Sequence, residues 1–198
     1  MRKRLFIHTV SWMPRNKLTQ HVESDKFCYY DYLGTELQLC DSAGGENIDI
    51  EQIYEYIYAL REKYGIHYTT ITADPYNIAG IQDKLEDICD KLILQNQSAK
   101  ALSQYIEALS ALHKDGTIAY KRGGEDIYEK AIAGSTLLRN TSGYYSIEKI
   151  SLRANDNIRI DPVDACLNGF IANYIHDSKG AAMCGDDAID SWEDMLGG

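Results

Sequence analysis

Two Asp-Pro dipeptides stand where chemistry would need them. Asp74-Pro75 follows the apolar run "TTITA", and Asp161-Pro162 follows "NIRI" far down the chain. Each carboxylate is delivered by a short extended segment into a turn that proline stiffens, and Asp164 follows one helical turn after Asp161. If a sheet brings both strand ends to one edge, these like charges raise one another's pKa unless a cation neutralises them. An all-oxygen donor set suits Mg²⁺ or Mn²⁺ rather than zinc. A pair of such ions roughly 3.5–4 Å apart is the usual machinery of phosphodiester cleavage. Asp74 and Asp161 are therefore the candidate catalytic metal ligands, with Asp164 as a third ligand beside them.

Taken singly, each aspartate has a sufficient local explanation. Asp74 reads as a turn or helix N-cap before "PYNIAGIQDKL", with Pro75 at the first helical position. Asp161 at the N-cap, Pro162 at N1 and Asp164 at N3 make a well-formed helix start, and the helix dipole favours both acids there. Only convergence of the two segments separates the readings. Lys149, in "SIEKISLR", contacts a DNA phosphate, offsets the acids, or is simply an exposed strand lysine beside Glu148. Gly123-Gly124 lacks phosphate-loop spacing and reads as a turn. His8, His21, His67 and His113 show no ligand spacing, and His67 reads as a partly buried strand residue. The fifteen tyrosines suit either a stacking surface for nucleic acid or ordinary core and interface packing.

The elements that must position these residues follow from the hydrophobic period. "RLFIHTVSW" alternates and stops at Pro14, which predicts one strand. "NKLTQHVESD" reads as irregular, and the stretch around Leu33-Gly34-Thr35 as a hairpin. Ile53, Ile57, Leu60 and Tyr64 mark one face of a helix from Asp49 to Gly65. "IHYTTITA" and "KLILQNQS" are strand-like. Ile78, Ile81, Leu85 and Ile88 predict a helix after Asp74, and Leu102, Ile106 and Leu109 another that closes near Gly116. A further helix is predicted over 125–138, then extended "YYSIEKISLR" and "NIRI". A last helix carries Val163, Leu167, Phe170 and Tyr174 on one face. The sum is an α/β domain, a mixed sheet flanked by helices, in which ligands sit at the strand ends. Residues 177–198 are acidic and aperiodic and read as a solvated tail.

Composition narrows the function. The 198 residues are 44% hydrophobic, enough for one sizeable core. Thirty acidic against twenty basic residues give a formal net charge of -10, which argues against gripping nucleic acid by bulk charge alone. Five cysteines without CxxC spacing give neither a zinc pattern nor a disulfide framework and fit a reducing compartment. No signal peptide or membrane-spanning stretch is evident, so the expected location is the cytoplasm.

The ordered series "FIHTVSWMPRNKL", "YLGTELQLCDSAGGENID", "IEQIYEYIYALREKYGIHYTTITADPYNIAGIQDKL", "LILQNQSAKALSQYIEALSALHKDGTIAY", "GYYSIEKIS" and "NIRIDPVDACLNGFIANYI" resembles the C-terminal nuclease domain of tailed-phage large terminase subunits. The likeness makes residues 1–176 the domain, ahead of the tail. It implies an RNase H-like fold and a metal-dependent endonuclease that cuts concatemeric double-stranded viral DNA in the host cytoplasm. Carried over residue by residue, the metal-binding carboxylates are Asp74 and Asp161, with Asp164 nearby; Gln97 and Lys149 match recurrent positions of unassigned role. The implied partners are viral DNA, an ATPase motor domain, a small terminase subunit and a portal protein. The resemblance also implies an opening strand that bears the first metal-binding Asp, and a motor domain with phosphate loops. Neither is found in this sequence, so the expectation is a domain lacking its first strand or strands, with little or no activity alone, as from a 5′-truncated gene, a split reading frame or a prophage remnant. The alternatives are a catalytically dead, protein-binding remnant and another RNase H-like nuclease or resolvase.

Overall fold

A computed structural model describes residues 4–41, 47–120, 126–150 and 159–178. The 177–198 tail falls almost wholly outside these residues, as do Gly123-Gly124, most of "ISLR" and the first half of "NIRI".

The strands are β1 (Leu5–Ile7), β2 (Ser11–Pro14), β3 (Leu37–Cys40), β4 (Ile71–Ala73), β5 (Leu92–Leu94), β6 (Ile118–Tyr120), β7 (Ser135–Arg139) and β8 (Tyr145–Lys149). The α-helices are α1 (Leu18–Asp25), α2 (Ile50–Tyr64), α3 (Gln82–Ile88), α4 (Ala99–Lys114), α5 (Asp126–Ala133) and α6 (Asp161–Ser178). Pairing is parallel for β1 with β6, β2 with β3 and β4 with β5, and antiparallel for β7 with β8. The parallel pairs need long crossovers, and helices supply them. The result is a mixed α/β domain whose described strands form four two-stranded units. Among the described residues no helix is long and apolar enough to cross a membrane.

The helices with clear apolar periods form where expected. The Asp49 carboxylate caps α2 by accepting from the Glu51 amide at 3.0 Å, and Gly65 ends the helix at φ 66°, a left-handed conformation that glycine adopts without strain. Leu102, Ile106 and Leu109 of α4 are buried against Val163, Leu167, Phe170 and Ile171 of α6, with Ile7 and Tyr128 in the same cluster. A second cluster joins Ile78, Ile81, Leu85 and Ile88 to α2 and β4. A third packs Met13, Leu18, Tyr29, Leu37 and Ile127.

Several expectations are corrected. The N-terminal strand is two short ones, because β1 and β2 pair with different partners. "NKLTQHVESD" is mostly helix α1, after a 3₁₀ turn at Arg15–Lys17. Its buried face is Leu18, Val22 and Asp25, and a charged third member hides the apolar period. The expected hairpin is a 3₁₀ helix at Tyr29–Tyr32, after which β3 lies parallel to β2 rather than folding back. The helix expected over 125–138 ends at Ala133; after Gly134 the β-branched and leucine residues of β7 pair with β8. His67 is exposed and faces Asp90 at 2.8 Å, rather than sitting partly buried in a strand. Cys28, Cys40, Cys89 and Cys166 are free thiols.

Candidate active site

A cleft of about 630 Å³ opens on the surface. Asp74, Glu148, Asp161 and Asp164 line it together with Asn77, Gln97 and Asn168. Four pieces of chain build it: β4 with the turn after it, α4 with the residues that lead into it, β8, and the first turns of α6.

The Asp74 turn is built locally. Its Oδ1 accepts from the Tyr76 amide at 3.0 Å, its Oδ2 accepts from the Asn77 side-chain amide at 3.1 Å, and its carbonyl accepts from the Asn77 amide at 3.1 Å. Asp74 is thus a turn residue and not a helix cap: α3 begins only at Gln82. Asp74 enters the cleft because β4 packs against α6.

The cap reading of Asp161 is likewise corrected. The Ile160 carbonyl accepts the first helical bonds, from Val163 at 2.8 Å and Asp164 at 3.2 Å, so Ile160 holds the cap position and Asp161 begins the helix. The Asp161 side chain makes no hydrogen bond to any described residue. Asp161, Asp164, Ala165 and Asn168 follow the i, i+3, i+4, i+7 spacing, so one stripe of α6 faces the cleft while Val163, Leu167 and Ile171 face the core.

Immediately upstream, Arg159 is anchored on α1. Its Nε donates to Asp25 Oδ2 at 2.7 Å and its Nη2 to His21 Nδ1 at 2.6 Å, while Ser24 Oγ and Tyr29 Oη also donate to Asp25. Burial alone would raise the Asp25 carboxyl, but these donors outweigh it and hold the group below its ordinary range. Burial and the neighbouring guanidinium lower His21, which keeps it neutral as an acceptor.

The acids feel one another. Asp164 is pushed up to about 6, first by loss of hydration in the cleft wall, then by Asp161 and also Glu148, with Lys149 acting against them. By surface area Asp164 is exposed, yet protein atoms around a concave wall displace much of its bulk water; the exposure limits how much energy the shift represents. Lys149 thus lies close enough to the acids to offset them. Glu148 escaped the sequence reading, although its place beside Lys149 near the end of an extended run was a usable signal. Gln97 finds a place as well: its Nε2 donates to Asn168 Oδ1 at 3.2 Å across the cleft floor.

The donors suit a hard divalent cation. They are all oxygen, lost hydration together with the charges of Asp161 and Glu148 raises Asp164, and the buried Thr72 Oγ1 in the same wall has no hydrogen-bond partner. Among the described residues, however, no three acidic, histidine or cysteine side chains stand together closely enough to enclose an ion unaided.

An acidic cleft of this kind in a mixed α/β domain suits the chemistry of phosphoester hydrolases. Comparison with known proteins narrows the class. Residues 2–177 match the family described as terminase large subunit, endonuclease domain. The crystal structure of the HK97 bacteriophage large terminase is similar, with a TM-score of 0.62 at 15% identity, over 81% of this chain and 32% of that one. At that identity the likeness speaks for the fold alone. A search of curated proteins returns no match. The chain belongs to the family of terminase large-subunit endonuclease domains and spans about a third of the length of the terminase it resembles.

Proposed function

We propose that this domain is a divalent-metal-dependent endodeoxyribonuclease that cuts concatemeric double-stranded viral DNA during packaging, in the cytoplasm of a bacterial host. The observation that carries the reading is the presence of Asp74 and Asp161, from distant parts of the chain, in one cleft with Glu148 and Asp164. Asp74 and Asp161 would hold Mg²⁺ or Mn²⁺, with Asp164 and Glu148 completing the oxygen donors. The ion, when bound, supplies a Lewis acid and an acidified water for attack on phosphorus. Asn77 keeps one amide hydrogen beyond the one it gives Asp74, and it is placed to orient a phosphate oxygen. Lys149 tempers the negative field that would otherwise repel the substrate. An ATPase motor domain, a small terminase subunit and a portal protein are the partners this role requires.

Manganese titration calorimetry on the chain and its Asp161→Asn variant tests the site. Micromolar-range binding by the wild type and at least ten-fold weaker binding by the variant are expected, on the order of 1.4 kcal/mol or more. Equal affinity would leave Asp161 without a metal role. A second reading, a non-catalytic domain that retains only protein contacts, is favoured by the lack of three ready ligands among the described residues. Absence of any Mn²⁺ binding by the wild type would select it.

A further inference from the structure

Tyr76 is 92% exposed, whereas the next most exposed large apolar side chain among the described residues, Leu138, is 52% exposed. It sits in sequence between Pro75 and Asn77 on the turn that carries Asp74 into the cleft. That turn is tied by three hydrogen bonds to Asp74 and stiffened by the fixed φ of Pro75. The Tyr76 ring and hydroxyl meet no described residue in a hydrogen bond or ring contact. Folding therefore gives no reason for this aromatic, yet its backbone is held more firmly than an idle loop tip requires.

The charge distribution supplies a reason. The chain carries a net charge of -10, and four carboxylates line the cleft. A polyanion cannot be held there by counterion release from a basic surface. Contact that does not depend on charge is needed, and every nucleobase offers a π-face to an aromatic ring. Apolar side chains at protein–DNA interfaces also enter base steps and partly unstack them.

We propose that Tyr76 is a wedge: its ring stacks on a nucleobase at the step beside the phosphate presented to Asp74, and so sets where the duplex opens next to the site. This rests on the nuclease reading above. It assigns the residue a positioning and selecting role toward DNA steps that unstack easily.

The test uses the full chain in Ca²⁺, with short duplexes carrying 2-aminopurine either in a perfect helix or beside a one-nucleotide gap. Wild type binds the gapped duplex more tightly than the perfect one, and 2-aminopurine fluorescence changes on binding. Tyr76→Ala lowers affinity for the gapped duplex about ten-fold and abolishes the preference, whereas Tyr76→Trp preserves both. Mn²⁺ affinity is the control and stays unchanged in Tyr76→Ala, because the turn bonds use backbone and Asn77 groups. Equal DNA binding and equal fluorescence by wild type and Tyr76→Ala would overturn the wedge and leave the nuclease reading standing. A matching loss of Mn²⁺ affinity would overturn it too, by making Tyr76 a support of the turn. Failure of the wild type to bind any DNA would remove both.

Discussion

Asp74 and Asp161 line one cleft, but their carboxylates are held differently. Asp74 uses both side-chain oxygens on its own turn, whereas Asp161 makes no hydrogen bond to a described residue. Substitutions should therefore separate shape from charge. Asp74→Ala loses the turn bonds and costs about 1 kcal/mol, a fall of roughly 2–4 °C in Tm; Asp74→Asn keeps an acceptor toward Tyr76 and should melt near wild type. At Asp161, both Asn and Ala should leave the stability of the metal-free protein within about 0.5 kcal/mol of wild type, since the cap bond belongs to Ile160. All four changes should weaken Mn²⁺ binding in calorimetry; a large Tm loss in Asp161→Ala would restore the cap reading. Asp164 adds a pH dependence. With its pKa pushed up to about 6, it holds its proton in the folded state over a range where the unfolded carboxyl, near 3.8, has ionised. Its effect is absent below the unfolded value, grows as pH rises from 3.8 toward 6, and is a full penalty above 6. Asp164→Asn should thus stabilise the metal-free protein at pH 8 by roughly 1 kcal/mol, a figure reduced for solvent screening, and by nothing at pH 3.5. Urea unfolding at the two pH values measures the difference.

At the scale of elements, the entry to α6 hangs on α1. The Asp25 side chain is fully enclosed, and the Arg159 side chain is 38% exposed. Removing the guanidinium leaves a buried carboxylate supported only by Ser24 and Tyr29 among the donors above. Arg159→Met should cost about 2–3 kcal/mol, somewhat less than a wholly buried pair, and lower Tm by roughly 5–10 °C. The same network has an acid limit. Because the folded carboxyl lies below its ordinary value, its contribution is present above 3.8 and is lost as pH falls through the folded value. An acid titration followed by circular dichroism should show the advantage of wild type over Asp25→Asn vanishing at the acid end. A constant advantage down to pH 2 would mean that Asp25 acts by shape alone.

For the whole molecule, charge decides how the proposed DNA contact depends on salt. A protein that makes six to ten phosphate contacts loses roughly 10³–10⁵ in affinity between 50 and 200 mM salt. With a net charge of -10 and Lys149 as the cation placed by the cleft acids, this chain should show a slope of log K against log salt no steeper than about -2 in Ca²⁺. Fluorescence anisotropy over a salt series gives the slope. A value near -6 would reveal a basic surface that the cleft does not contain.

Local signals determined much of this protein. The helical period announced α2, α4 and α6, because each presents an apolar stripe to a neighbouring core cluster. The Asp74-Pro75 unit marked the exit of β4, whereas no described strand leads into Asp161, and the ordered series of motifs carried the family. What the sequence could not disclose depended on partners distant in the chain. The helical face of α1 was disguised because its third member, Asp25, is buried by pairing with Arg159. The split of the N-terminal strand depended on β3 and β6, and the short α5 on the pairing of β7 with β8. The membership of Glu148 in the cleft, the bond from Gln97 to Asn168 and the full exposure of Tyr76 are equally products of packing. Propensity and period are properties of a few neighbouring residues, whereas burial of the Asp25 charge needs Arg159, and convergence of the carboxylates exists only once β4 and β8 have packed with α4 and α6.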